Sequence, residues 1–298
     1  MHPNQDHDLQ TRFLLPKAGV RGVLVHLDES WRELLKHQDY PPVAAELLGQ
    51  ACTAAVLFTA HTKVDGRLSL QLRSSGALRT LFAECTAAGT LRGIAQLQEG
   101  VDAPRDLSAL GEDALLAITI ENPGLDPREP QRYQSFVELR AQTLAEAFED
   151  YFRQSEQLPT RLLLASDGQR TAGLMLQKLP GDEGDADGWN RAGALFDTVG
   201  EAELLDTSPA DMLHRLFHEE APELMSAREL RFGCSCSRER VASMLQSLGE
   251  AEATAALDGG QVEVRCEFCG RNYHFDTTQI AELFSQPPVG WEAPDRLQ

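Results

Sequence analysis

Two close pairs of thiols, Cys234-Ser235-Cys236 and Cys266-Glu267-Phe268-Cys269, are the residues of this chain whose type and spacing most clearly suit a chemical task. Between Cys236 and Cys266 lie 29 residues, so the pairs belong to separate local elements that must meet in space. The halves of a tetrahedral zinc site are built this way. One Zn²⁺ held by Cys234, Cys236, Cys266 and Cys269 would supply about 10 kcal/mol or more of folding free energy to a short segment with little core. The same thiolates are the groups an oxidant attacks.

Several uses of such a site are open. A constitutive structural zinc ribbon would hold the segment together for docking on a fixed partner. A catalytic zinc is disfavoured, because it keeps one open position on three protein ligands, and the HxE motif that precedes PCxxC in zinc deaminases is missing. A thiol oxidoreductase would use Cys266 and Cys269 as its redox pair. In a redox switch, disulfides Cys234–Cys236 and Cys266–Cys269 can form by local closure, and a disulfide sulfur is a poor ligand, so oxidation would eject the metal. Arg231, Arg238, Arg240, Arg265 and Arg271 lie within a few positions of these cysteines and would offset the charge of a four-thiolate centre. His274 reads as a partly buried, aromatic-like residue outside the ligand set, and Cys52 and Cys85 read as small core residues.

The rest of the chain must position this site. Its 298 residues allow one large or two smaller domains, and the net charge of −19 is unevenly spread. Residues 181–230 hold 13 acidic against 3 basic side chains. Such a surface argues against nucleic acid as a partner. With no run of about eighteen apolar residues and no basic-then-apolar start, the expectation is a cytoplasmic protein without a membrane partner.

The pattern predicts an α+β fold: a mainly antiparallel mixed sheet packed with helices, a helical linker, and a small C-terminal zinc-binding domain. Residues 1–180 form the first domain. A β-rich run at 19–25 precedes a helix capped by Asp28, and an Ala- and Leu-rich helix from Val43 to His61 is buried on most of its circumference. Strands follow around Leu68–Leu72, Leu78–Thr86, Leu91–Gln98 and Ala114–Ile120. An alternating strand at Tyr133–Leu139, a helix from Thr143 to Ser155, and a hairpin spanning 161–179 close the domain. Residues 181–230 read as a mobile acidic loop at 181–188 followed by short acidic helices with limited apolar area, carrying Met212, Leu213, Leu216 and Phe217; they form a marginally stable linker. In residues 231–298, Ser237 caps a helix to Leu248, a second short helix runs through 250–257, strands flank the second cysteine pair, Asp276 caps a last helix, and the chain is loose from Pro287. No P-loop, GxSxG or dinucleotide fingerprint is present, and no enzymatic activity is expected.

Val20-Arg21-Gly22, the stretch from Tyr151 to Arg161 (YFRQSEQLPTR), Cys234-Ser235-Cys236-Ser237-Arg238-Glu239-Arg240 and Cys266-Glu267-Phe268-Cys269-Gly270, in this order along the chain, together resemble the thirty-three-kilodalton heat-shock protein family of bacteria, and the resemblance covers essentially the whole chain. The resemblance implies a redox-regulated, ATP-independent holdase chaperone of the oxidative stress response. It implies one zinc on Cys234, Cys236, Cys266 and Cys269 in the reduced, inactive state. Oxidation then forms the Cys234–Cys236 and Cys266–Cys269 disulfides, releases zinc and unfolds the linker, and unfolding client proteins are bound by what is often a homodimer.

Overall fold

Pro42 fixes the first turn of a helix whose next nineteen positions hold Glu46 as their one acidic side chain and are otherwise dominated by Ala, Leu and Val. Such a segment has no polar face to turn to water and must be covered on all sides. The computed structural model describes residues 8–62, 64–124, 130–181 and 184–285, and in it this helix, Pro42–His61, lies between two sheets. By length and composition the helix could cross a bilayer, but 78% of its apolar window is buried inside the fold. Close approach needs missing side chains on the sheets: a Cβ on Gly93 would sit 2.8 Å from Cys52 Sγ, and one on Gly173 would sit 2.6 Å from Thr53 Cγ2.

The first sheet contains β1 (Asp8–Leu15), β2 (Val20–Leu27), β8 (Thr160–Ser166), β9 (Thr171–Lys178) and β10 (Glu223–Glu229), in the order β10-β1-β2-β9-β8, with every pairing antiparallel. The second contains β3 (Arg67–Arg73), β4 (Leu78–Thr86), β5 (Thr90–Leu97), β6 (Leu115–Asn122), β7 (Gln131–Glu138) and the two-residue β11 (Arg231–Phe232), in the order β11-β5-β4-β3-β6-β7. Its pairings are antiparallel except β11 with β5. Leu68, Leu70 and Leu72 face inward as their alternation predicts. Helix α1 is Glu29–Leu35, α2 is Pro42–His61 and α3 is Leu144–Tyr151, which opens on a Thr143/Glu146 capping box. The architecture is α+β.

Three expectations change. The amides that open α1 are received by Asp8 from β1, which accepts from the Asp28 and Glu29 backbone N–H at 3.0 Å and from the Ser30 hydroxyl; the Asp28 carboxylate pairs instead with Arg32. Strand β7 alternates in sequence but covers little, with Tyr133 54% and Phe136 61% exposed, because it is the last strand of its sheet. Residues 223–232 are extended and join both sheets as β10 and β11, so the stretch before the cysteines is not helical throughout.

Three short helices, α4 (Gly188–Phe196), α5 (Glu201–Asp206) and α6 (Pro209–Phe217), lie on the outer face of the first sheet. Phe196, Leu204, Met212, Leu213, Leu216 and Phe217 bury there against Phe13, Leu24 and Leu174, with the Phe13 and Phe217 rings stacked at 5.9 Å. Of the acidic loop, residues 182 and 183 lie outside the described residues. From Gly184 onward the chain rests on the β1–β2 turn, with the Asp185 N–H donating to Lys17 O at 2.9 Å and a Cβ on Gly188 falling 2.5 Å from Ala18 Cα. Arg191 ties this docked end to Asp185 at 2.8 Å and Glu220 at 2.5 Å.

The C-terminal module follows β11. Helices α7 (Arg238–Leu248) and α8 (Glu250–Ala255), the hairpin β12 (Gln261–Arg265) and β13 (Asn272–Asp276), and α9 (Thr277–Ser285) enclose a small cluster of Val241, Leu245, Val262, Tyr273, Phe275 and Ile280. Ser237 accepts from the Arg240 N–H and Asp276 from the Gln279 N–H, capping α7 and α9 as their sequences predict. The loose tail expected from Pro287 lies outside the described residues.

Candidate metal centre

The first cysteine pair is stretched between a strand and a helix cap. β11 pairs with β5 and delivers Cys234, and Ser237 starts α7 one residue after Cys236. The second pair forms the loop of the β12–β13 hairpin, where the Cys266 N–H donates to Arg271 O at 2.9 Å and the Gly270 N–H to Cys266 O at 2.8 Å. Gly270 takes φ +66°, which brings the loop back on itself without a Cβ penalty.

These two loops bring all four sulfurs within 4.8 Å of one another, each residue half-buried. Cys234 Sγ lies 3.6 Å from Cys266 Sγ, and Cys236 Sγ lies 3.3 Å from Cys269 Sγ. A tetrahedral ion with metal–sulfur bonds of about 2.3 Å has sulfur–sulfur edges of about 3.8 Å, so the donor set fits a thiolate-bound metal ion. All six cysteines are free thiols. Both of these contacts run between the pairs, as expected when two loops interdigitate around a common centre.

The sulfurs differ electrostatically. Burial raises the Cys234 and Cys269 thiols. Burial also opposes ionisation of Cys236, but hydrogen bonds from the Tyr273 hydroxyl and the neighbouring thiols outweigh it and bring that group down to about 7. The Tyr273 hydroxyl donates to Cys236 Sγ at 3.1 Å, and the Cys236 N–H to Cys234 Sγ at 3.4 Å. By contrast, burial holds Cys52 and Cys85 as thiols, pushing Cys85 up to about 12 and Cys52 higher still; both are core residues, as expected.

Of the five arginines near the cysteines in sequence, Arg271 lies closest in effect, beside Tyr273 and facing Cys236 and Cys269. Arg240 donates to Ser235 O at 2.6 Å, supporting the first loop. Arg238 turns to His274 O at 2.8 Å and covers the Phe275 ring, Arg265 reaches His37 O at 3.0 Å, and Arg231 sits in β11 opposite Thr90. His274 is exposed rather than partly buried, and stands outside the sulfur cluster.

A further arginine, remote in sequence, reaches both loops. Arg92 on β5 donates to Ser235 Oγ at 3.0 Å, lies 4.4 Å above the Phe268 ring, and pairs with the buried Glu84 at 3.0 Å. Beside it, Gln96 donates to Glu267 at 2.9 Å, and Phe82 meets Phe268 edge-on at 5.6 Å. Neither Arg92 nor Tyr273 was marked by sequence spacing. Strand periodicity gives no sign of which outward-facing residues another module will cover.

The described model for Hsp33 protein matches residues 8–276. The chain is 44% identical to the 33 kDa chaperonin of Ectopseudomonas mendocina (strain ymp) over 98% of its length and 99% of the relative. It is also 44% identical to the 33 kDa chaperonin of Azotobacter vinelandii over 94% of its length and 95% of that protein. The crystal structure of the 33 kDa chaperonin (Heat shock protein 33 homolog) from Thermotoga maritima has the same fold, with a TM-score of 0.76 and 22% identity, over 94% of this chain and 98% of that one.

Proposed function

The chain belongs to the Hsp33 family, and from that premise we propose that it is an ATP-independent holdase chaperone switched on by oxidation of its four clustered cysteines. The observation that carries the reading is the sulfur cluster itself: four free thiols within 4.8 Å of one another, in a module with a core of a few side chains. Bound zinc would supply the bonds that hold the two loops together. Cys234, Cys236, Cys266 and Cys269 are its ligands in the reduced state.

Oxidation takes two electrons from each pair of thiolates and passes them to an oxidant such as a peroxide, which takes up two protons from solvent and leaves as water; the metal–sulfur bonds would break with release of Zn²⁺ as sulfur–sulfur bonds form between Cys234 and Cys236 and between Cys266 and Cys269. Short closure within each loop favours these partners. Once the ligands are consumed the module loses its main source of stability. Residues 181–230 form the metastable linker and 231–298 the switch domain, attached to a stable domain of residues 1–180. Release of α6 would uncover Leu213, Leu216 and Phe217 together with Phe13, next to Leu224 and Met225, which are already 70% and 61% exposed on β10. That apolar surface is the binding site for unfolding client proteins. The oxidised protein acts in the cytoplasm as a homodimer under oxidative stress.

The test is suppression of aggregation of a thermally unfolding protein by the chain before and after oxidant, with zinc release and disulfide mapping on the same samples. Suppression only after oxidation, with the two short-range disulfides, is expected. Equal suppression in both states, or disulfides joining Cys234 to Cys266 and Cys236 to Cys269, contradicts the mechanism.

A further inference from the structure

The residues that stand between the cysteines of each pair share one destination. Ser235 meets Arg92, Glu267 meets Gln96, and Phe268 meets both Arg92 and Phe82. All three partners lie on the adjacent strands β4 and β5, where Phe82 pairs with Ile94, Arg92 with Glu84 and Gln96 with Thr80. The loops that carry the sulfurs are therefore also the loops that dock the module on the second sheet.

We propose that Arg92 is a positioning residue for the metal centre: it holds both cysteine loops in their metal-binding shape from the β4–β5 face, so that docking and metal binding stabilise each other. The inference rests on the reading of the four cysteines as metal ligands.

The sheet itself holds the guanidinium from behind: Arg92 is paired with the buried Glu84, which also lies 3.8 Å from Arg67, and Arg67 is in turn paired with Glu121. From this fixed position one planar group donates to the first loop and covers a ring of the second, which a flexible ammonium would not do as well. Each loop alone is a short turn with almost no core. Loop shapes compatible with four metal–sulfur bonds are the shapes that reach Arg92, so whatever favours one favours the other. Coupling of this kind is reciprocal: docking strengthens metal binding by the factor by which metal strengthens docking, so a change on β5 that weakens docking weakens metal binding by up to that factor without touching a ligand.

The experiment compares the equilibrium partition of zinc between the reduced full chain and a chromogenic chelator in the wild type, Arg92→Ala, and Arg140→Ala, which removes an exposed arginine just beyond β7, the opposite edge strand of the sheet. Arg92→Ala is expected to bind zinc at least about fivefold more weakly, and Arg140→Ala with wild-type affinity. Because Arg92→Ala leaves Glu84 buried without its partner, the Glu84→Gln/Arg92→Ala double variant supplies the same comparison with the charge removed, and urea unfolding of the sheets reports whether the sandwich is intact. Weaker zinc binding with an unchanged urea midpoint supports the positioning role. Wild-type zinc affinity in both Arg92 variants overturns it. A wild-type chain that takes up no zinc under reducing conditions instead overturns the metal-site reading on which it rests.

Discussion

Around α2, 44 buried residues from both sheets and three helices form one continuous apolar cluster among the described residues, whereas the C-terminal module buries seven. The sandwich is held by burial, which is spread over many side chains and indifferent to thiol chemistry. The module is held by a few side chains and, on the proposed reading, by four bonds to one ion. Between them, α4 to α6 borrow the outer face of the first sheet and bring eight buried residues of their own to it. On the proposed reading, one chain combines a part that no oxidant should loosen with a part that depends on the redox state of four sulfurs.

The contrast is broken most severely at the ligands. Cys269→Ser should abolish stoichiometric zinc binding and withdraw about 10 kcal/mol or more from the module. Limited proteolysis should then cut within residues 234–285 and leave 8–178 intact; a module that resists protease without metal would mean that its seven-residue core suffices.

In the sandwich, a large truncation should have the opposite distribution. Phe58 packs edge-on to Phe148 at 4.8 Å and Phe152 at 5.1 Å, so Phe58→Ala should cost about 3–5 kcal/mol of global stability. Zinc content of the folded fraction should be unchanged. Denaturant unfolding with parallel zinc assay checks both.

Acid should act on the sandwich through one part-buried histidine. Burial, then the neighbouring Arg21, holds His61 down to about 3 against an ordinary value of 6.5, and Arg21 donates to its ring at 2.9 Å. The unfolded chain therefore binds a proton below pH 6.5 that the folded chain refuses until about pH 3. The stability is fully present above 6.5 and declines as pH falls through this window, by about 2 kcal/mol at pH 5. Urea unfolding at pH 7 and pH 5 should show this loss in the wild type and a smaller one in His61→Gln; equal losses would remove His61 from the account.

The smallest effect tests the fine structure of the module. Tyr273→Phe deletes the hydroxyl that donates to Cys236 Sγ while keeping the buried ring. Metal affinity should fall by a factor of about 5, equivalent to about 1 kcal/mol, measured by chelator competition. An unchanged affinity would mean that backbone donors already satisfy that sulfur.

Much of this division is legible in the residues. A twenty-residue helix almost without charge can only be a core element, and paired cysteines 29 residues apart can meet only if the intervening chain folds back, as α7 to β12 does. Short helices are expected after the acidic loop, and α4 to α6 are found there, though the pattern understates how much apolar surface they bury on the first sheet. What the pattern conceals is held by the backbone or by distant partners. β10 is exposed along its whole length and is a strand only because β1 offers its edge. Asp8 caps a helix that begins 21 residues later, and Arg92 meets Ser235 across 143 positions. None of these leaves a periodic trace.

The two parts should answer differently to the loss of one ion. Hydrogen exchange of the full chain, reduced and zinc-loaded against oxidised and zinc-free, reads both parts in one experiment. The account predicts that amides of 234–285 and 188–229 lose protection on oxidation while those of α2 and strands β3 to β6 keep theirs. Retained protection across 234–285 after the metal has left, or equal loss in α2, would contradict it.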